Sequence, residues 1–171
     1  MKKALLVDDQ NIVLLGIAKL LEMSGKIDVV GQINNGQACL EYLENNPEPD
    51  IILLDVHMPE MNGLELIKRI KMRWETPVIF LTTFDDEYLK QQAIEAGAKG
   101  LLLKSIALNV LIDSVLKVAD GGTLFSAHQV CSISKMTERE NCIAKSLVAG
   151  KTNKEIAELQ SLSPGTVRNY L

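Results

Sequence analysis

The sequence predicts an α/β fold in which a doubly wound, five-stranded parallel sheet occupies residues 1–120 and a small all-α domain follows. Short apolar runs alternate five times with segments whose apolar residues recur at helical spacing. The apolar runs lack a regular polar position, which is typical of strands covered on both faces. Strict strand–helix alternation favours parallel strands joined by right-handed crossovers. For a doubly wound sheet of five strands we expect the common strand order 2-1-3-4-5.

The first strand–helix unit sets the pattern for the other four. Its apolar run covers residues 3–7, and a helical pattern then begins at Ile12 and ends at Gly25. The other strands are predicted at residues 29–33, 51–54, 78–81 and 101–103. The helices that follow them are predicted at residues 37–44, 63–73, 85–96 and 106–119. The α/β domain is therefore expected to end near Asp120.

A change of pattern marks the second part of the chain. Two adjacent glycines open a polar stretch, residues 121–135, that is predicted to be a linker. Residues 136–171 then contain two capping boxes, at 137–140 and 152–155, and a third helix start at Ser163-Pro164. The last two of these short capped helices, which contain Ala157 and Val167, suit a helix-turn-helix, although plain helical hairpins have the same spacing.

Composition excludes several classes of protein. Of the 171 residues, 47% are apolar and 23% charged, which is typical of a folded globular chain and not of a disordered one. No stretch approaches the ~18 apolar residues of a membrane span, and Asp8 and Asp9 end the first apolar run too early for a signal peptide. We expect a cytoplasmic protein with no membrane partner. Cys39, Cys131 and Cys142 suit core positions better than a disulfide framework or zinc site.

The net charge of −4 is unevenly distributed along the chain. Residues 1–120 carry 12 basic and 18 acidic side chains, whereas residues 121–171 carry 6 and 4. The acidic part suits a metal or protein partner, and the mildly basic part is compatible with nucleic acid.

Chemically reactive side chains follow four of the five predicted strands. Asp8 and Asp9 follow the first strand, Asp55 the third, Thr82 the fourth and Lys104 the fifth. Functional groups in open parallel sheets lie at the carboxyl ends of the strands, and strands one and three are neighbours in the expected order. The three carboxylates are therefore predicted to converge at one edge of the sheet.

Three converging carboxylates repel one another unless a cation lies between them. Oxygen ligands favour a hard ion, so we predict a Mg²⁺ site formed by the three aspartates and the backbone carbonyl of His57. A carboxylate beside Mg²⁺, a lysine and a hydroxyl can accept a phosphoryl group. Taken singly, the aspartates also suit helix capping or a turn, Thr82 suits an ordinary strand end, and Lys104 suits a solvated position.

Four segments of the first 120 residues resemble the hallmarks of bacterial response-regulator receiver domains: LLVDD (5–9), IILLDVHMPEMNGLELI (51–67), VIFLTTF (78–84) and AGAKGLLLKS (96–105). The resemblance implies that Asp55 is the phosphoacceptor and that Asp8 and Asp9 belong to the metal site. It also implies that Thr82 is the switch hydroxyl and that Lys104 contacts the phosphoryl group. A leucine, Leu101, occupies a position that is often aromatic in the family.

The segments MTERE (136–140) and GKTNKEIAELQSLSPGTVRNYL (150–171) resemble the LuxR-type helix-turn-helix of NarL/FixJ-type regulators. The resemblance implies phosphate contacts from the turn region and base or phosphate contacts from the third helix. The implied DNA-contacting residues are Lys151, Asn153, Lys154, Thr166, Arg168 and Asn169. Domains of this type continue into a fourth helix, so we expect the helix-turn-helix domain of residues 136–171 to be incomplete and to bind DNA weakly.

Together these features predict a two-component response regulator with a flavodoxin-like receiver and not an enzyme. A sensor histidine kinase would phosphorylate Asp55 with Mg²⁺, and phosphorylation would control homodimerisation, binding to double-stranded DNA and hence transcription. The alternative is a Mg²⁺-dependent phosphohydrolase with Asp55 as nucleophile, although His57 occupies the position where a second carboxylate would serve as general acid. A flavin or dinucleotide module is a third possibility, weakened by the lack of a glycine-rich turn after the first strand.

Overall fold

The computed structural model describes residues 1–126, which contain a five-stranded parallel sheet with strand order β2-β1-β3-β4-β5. The strands are β1 (Lys2–Val7), β2 (Ile27–Ile33), β3 (Ile51–Asp55), β4 (Val78–Thr82) and β5 (Gly100–Leu103). The helices are α1 (Asn11–Met23), α2 (Gly36–Asn45), α3 (Gly63–Lys71), α4 (Glu87–Glu95) and α5 (Leu108–Ala119). This architecture confirms the predicted fold and strand order.

Helices cover the sheet on both faces and create two apolar cores. Successive residues of a strand point to opposite faces, so Ile52 and Leu54 of β3 pack with α2, α3 and α4, while Ile51 and Leu53 pack with α1 and α5. Every residue of β3 and of β4 is buried. Burial on both faces explains why the central strands are apolar without alternation.

Polar caps fix where three helices begin. The side chains of Asn35, Asn62 and Asp86 accept hydrogen bonds from backbone N–H groups in the first turns of α2, α3 and α4. Such caps satisfy donors that have no partner within the helix. Because Asp86 is the cap of α4, this helix starts at Glu87, two residues later than its apolar pattern predicts.

The register of the strands brings their carboxyl ends to one edge. Val7 of β1 pairs with Leu54 of β3, so the residues that follow them are neighbours. On the other side of the sheet, Thr82 pairs with Leu103, the last residue of β5. The loops after β1, β3, β4 and β5 therefore meet at the same edge of the sheet.

The first residues of the predicted linker pack against the α/β domain. The backbone N–H of Leu124 donates to the carbonyl of Lys99 at 2.7 Å, and Phe125 is 7% exposed. The remainder of the predicted linker and the whole predicted helix-turn-helix lie outside the described residues. Within residues 1–126, no helix has the length and apolar character needed to cross a bilayer.

Candidate phosphoacceptor and metal site

Three aspartates lie together at the carboxyl edge of the sheet. Asp8 and Asp9 follow β1, and Asp55 is the last residue of β3. One carboxylate oxygen from each of the three lies within 4.8 Å of the others. Asp8 and Asp55 are each only 3% exposed. The edge therefore holds three closely spaced negative charges, two of them on buried residues.

Local hydrogen bonds orient the two buried carboxylates. Asp8 Oδ1 accepts a hydrogen bond from the backbone N–H of Gln10 at 2.9 Å. Asp55 Oδ1 accepts a longer bond, 3.4 Å, from the backbone N–H of His57. In both cases the donor lies two residues beyond the aspartate, so the turn that ends the strand also fixes its carboxylate.

Lys104 places a positive charge beside two carboxylates of this cluster. Its Nζ lies 2.6 Å from Asp8 Oδ2 and 3.2 Å from Asp55 Oδ2. Lys104 follows the edge strand β5, and its backbone N–H donates to the carbonyl of Thr82 at 2.7 Å. One ammonium thus contacts two of the three carboxylates, and the group keeps a net negative charge.

Burial and charge shift the acid–base properties of the site. Burial raises the pKa of Asp55 above its ordinary value, the charge of Asp8 adds to the rise, and Lys104 opposes it. Burial by itself lowers the pKa of Lys104, but its hydrogen bond to Asp8 and the charges of Asp55 and Asp8 outweigh that effect and raise it. The lysine is therefore held in its charged form, and its positive charge stabilises the ionised carboxylates beside it.

The donor set fits a hard divalent cation. Asp9 Oδ1 is shielded from solvent and has no hydrogen-bond partner among the described residues, and a buried unpaired oxygen is costly. The three side chains that converge offer only oxygen ligands. Oxygen ligands of this kind suit Mg²⁺ rather than zinc.

Thr82 lies at the same edge, fully buried at the end of β4. Its Oγ1 accepts a 3.3 Å hydrogen bond from the backbone N–H of Phe84. Because the oxygen is the acceptor in this bond, the hydroxyl proton stays available for another acceptor. The threonine is thus a hydrogen-bond donor at the edge where Asp55 ends its strand.

Sequence reasoning missed an aromatic contact near the site. The rings of His57 and Phe84 meet edge to face, with centroids 6.2 Å apart. Both side chains line a groove of about 270 Å³ next to α4. The two residues belong to different loops, after β3 and after β4, so no spacing within either segment could reveal the pair. The sequence analysis gave His57 only a backbone carbonyl role.

A glycine shapes the backbone around Asp55. Gly63, the first residue of α3, donates its backbone N–H to the carbonyl of Val56 at 2.8 Å. A Cβ at position 63 would lie closer than 3.0 Å to the Asp55 carbonyl oxygen and to the Phe80 ring. Only glycine allows α3 to start this close to the strand that carries Asp55.

The six predicted DNA-contacting residues lie outside the described residues, as do Cys131 and Cys142. Their roles stay predictions from the sequence.

Comparison with known proteins gives matches over both parts of the chain. Residues 4–116 match the family described as response regulator receiver domain, and residues 134–171 match bacterial regulatory proteins of the luxR family. Transcriptional regulatory protein YdfI of Bacillus subtilis is 34% identical, with 100% of this chain and 86% of that protein aligned.

Two solved structures are similar to the described part of the chain. The receiver domain of the putative response regulator NarL from Mycobacterium tuberculosis has 30% identity and a TM-score of 0.66, covering 70% of this chain and 97% of that one. The isolated REC domain of RcsB from Salmonella enterica serovar Typhimurium, solved with the phosphomimetic BeF₃⁻, has 26% identity and a TM-score of 0.65. It covers 77% of this chain and 97% of its own.

Proposed function

The chain belongs to the two-component response regulators that join a receiver domain to a LuxR-type DNA-binding domain and regulate transcription, and we propose that Asp55 is its phosphoacceptor. The observation that carries the proposal is the pairing of Asp55 with Lys104 beside two further aspartates. Nucleophile, cation and metal-binding oxygens are then within one small site, which is what phosphoryl transfer requires.

The proposed reaction moves one phosphoryl group from a phosphohistidine of a sensor kinase to Asp55. A carboxylate oxygen of Asp55 attacks phosphorus, the new O–P bond forms, and the P–N bond breaks with its electron pair staying on the imidazole nitrogen. The released nitrogen takes a proton from water. The product is an acyl phosphate on Asp55. In the unmodified protein Lys104 Nζ lies 3.2 Å from Asp55 Oδ2, so it is placed to contact the phosphoryl oxygens of the product.

The metal site of this proposal consists of Asp8, Asp9, Asp55 and the backbone carbonyl of His57. Mg²⁺ bound there supplies neutralisation of the negative charge that the carboxylates and the phosphoryl group bring together. Asp9 Oδ1 supports this assignment, because it has no hydrogen-bond partner within residues 1–126 and a cation would give it one.

Thr82 is proposed to bind the phosphoryl group on Asp55 and to change position when it does so. Its hydroxyl proton is available to a phosphoryl oxygen on Asp55, and a hydrogen bond to that oxygen would shift the end of β4. We propose that this shift controls homodimerisation and binding to double-stranded DNA. We assign the contacts to DNA to the six residues predicted from the luxR-family segment. We also propose that the protein acts in the cytoplasm.

Mass spectrometry of the intact protein tests the proposed acceptor. Incubation with Mg²⁺ and acetyl phosphate is expected to add one phosphoryl group to the wild type and none to Asp55→Asn. Asp28→Asn, which changes an exposed aspartate on β2, serves as the matched control and should behave like the wild type. Full incorporation into Asp55→Asn would contradict the assignment. Sustained turnover of p-nitrophenyl phosphate would favour a phosphohydrolase instead.

A further inference from the structure

The chain leaves α5 through a short segment that crosses the free edge of the sheet. β5 pairs only with β4, so its other side is an open edge. After α5, Gly121 adopts a left-handed φ of +95°. Residues 123–125, which we name the strap, then run across the start of β5.

Backbone and side-chain hydrogen bonds fasten the strap to the residue before β5. The carbonyl of Lys99 accepts the backbone N–H of Leu124 at 2.7 Å and the Oγ1–H of Thr123 at 3.2 Å. Thr123 Oγ1 also accepts the backbone N–H of Phe125 at 3.2 Å. The strap is thereby fastened at Lys99, immediately before the edge strand β5.

The side chains of the strap pack directly against β5 and against both cores of the domain. Leu124 occupies the space beside Gly100, where a Cβ would lie closer than 3.0 Å to two atoms of the leucine side chain and 3.1 Å from a third. Phe125 is buried in the core that contains Phe80 and Ala98, whereas Leu124 packs against the core on the opposite face. The strap thus wraps around the edge and joins both layers.

The other end of β5 lies in the phosphoacceptor site. β5 has four residues, a length of about 13 Å at 3.3 Å per residue. Lys104 follows it and contacts Asp8 and Asp55 through Nζ and Thr82 through its backbone N–H. One short strand therefore has the strap at its first residue and the site's lysine after its last.

We propose that β5 is a lever that carries phosphorylation of Asp55 to the strap, in addition to the shift of β4 proposed for Thr82. A phosphoryl group adds atoms between Asp55 and Lys104 and gives the lysine new partners, so the end of β5 must shift. An edge strand has one neighbouring strand to resist the shift, and close-packed side chains transmit displacement rather than absorb it. Leu124 and Phe125 fit the position that β5 has while Asp55 is unmodified. A shift of β5 therefore weakens the packing of the strap. This inference rests on the proposed function of Asp55.

Hydrogen exchange of the full chain tests the lever. Samples with Mg²⁺ and acetyl phosphate are divided, one part for intact mass and one for exchange of a peptide that contains Leu124. Phosphorylation is expected to speed exchange of the Leu124 amide at least tenfold in the wild type and to leave it unchanged in Asp55→Asn. If no phosphoryl group is incorporated, the proposed function fails. If it is incorporated and the Leu124 amide exchanges at an unchanged or slower rate, the lever is wrong.

Two glycine variants sharpen the test. Gly100→Ala should displace Leu124, so its amide should exchange fast before phosphorylation and show no further response, while Asp55 still accepts the phosphoryl group. Gly16→Ala on α1 adds a Cβ that meets nothing within 4 Å and should respond like the wild type. Phe125→Ala, which leaves β5 unaltered, provides a second loosened strap in case Gly100→Ala does not fold. A wild-type response in a folded Gly100→Ala or in Phe125→Ala would overturn the proposal.

Discussion

The ammonium of Lys104 lies 2.6 Å from a carboxylate oxygen of Asp8, and both side chains are largely buried. The two residues are at opposite ends of the domain sequence and meet because β1 and β5 end at the same edge of the sheet. The pair balances one charge, but Asp9 and Asp55 remain beside it. The excess of negative charge makes the site responsive to cations and to changes of any one aspartate.

Mg²⁺ is expected to raise the melting temperature of the wild type. A ligand that binds only the native state stabilises it by RT ln(1 + [L]/Kd), about 2.7 kcal/mol at a hundredfold excess over Kd. Asp9→Asn should lose most of this effect, because it removes a carboxylate whose Oδ1 has no hydrogen-bond partner in the described part of the chain. Thermal denaturation with and without Mg²⁺ measures the response, with Asp28→Asn as control. An undiminished response in Asp9→Asn would reject the metal site.

Without divalent ions, Asp55→Asn is expected to be more stable than the wild type at neutral pH. Burial raises the pKa of Asp55 above its ordinary value of 3.8, so folding favours the protonated carboxyl and the ionised form destabilises the native state. The penalty is absent below pH 3.8, grows until the pH passes the pKa in the folded state, and is constant above it. Urea denaturation in EDTA across this range should show the two proteins diverging as pH rises. Parallel profiles would contradict the expected cost of the ionised carboxylate.

Local patterns in the sequence predicted most of the domain, and the reasons for success and failure are physical. The apolar runs of β3 and β4 identify strands because both faces of these strands are buried. The position of Asp55 at a strand end follows from the same pattern. The strap was not predicted, because Leu124 and Phe125 lie among polar and small residues and form no periodic apolar pattern. Leu124 is partly buried only because the folded chain leaves space for it beside Gly100. Contacts that depend on two distant segments leave no periodic signal in either.

Thr82→Ala is expected to separate phosphorylation from output. The variant keeps Asp55 and Lys104, so acetyl phosphate should still modify it, whereas the hydroxyl proton that would bind the phosphoryl oxygen is lost. Phosphorylation-dependent dimerisation, measured by sedimentation velocity, should therefore fall or disappear. Thr83→Ala changes the exposed neighbour and should retain it. Equal dimerisation of phosphorylated wild type and Thr82→Ala would remove the assigned role.

Cys39 should resist alkylation in the native protein at pH 8. Burial in the core raises the pKa of its thiol to about 12, and only the thiolate reacts. The unfolded chain ionises this group at lower pH than the folded one, so Cys39 also contributes a loss of stability as the pH rises above about 9. Peptide mapping after treatment with iodoacetamide, with and without denaturant, should show labelling of Cys39 only in the denatured sample. Rapid native labelling would contradict its placement in the core.

Gly63→Ala is expected to damage both stability and phosphoryl acceptance. The added Cβ would meet the Asp55 carbonyl oxygen and the backbone of Val56, neither of which can move without displacing the acceptor, and also the Phe80 ring. Overpacking of this kind costs about 1–3 kcal/mol, and rigid backbone neighbours place it toward the upper end. Gly16→Ala is the matched control: its Cβ meets nothing, so the helix should gain on the order of 1 kcal/mol from the better helix former. Chemical denaturation and phosphorylation by acetyl phosphate are measured on both variants. If Gly63→Ala retained wild-type stability and phosphorylation, the close approach of α3 to β3 would not be needed to position Asp55.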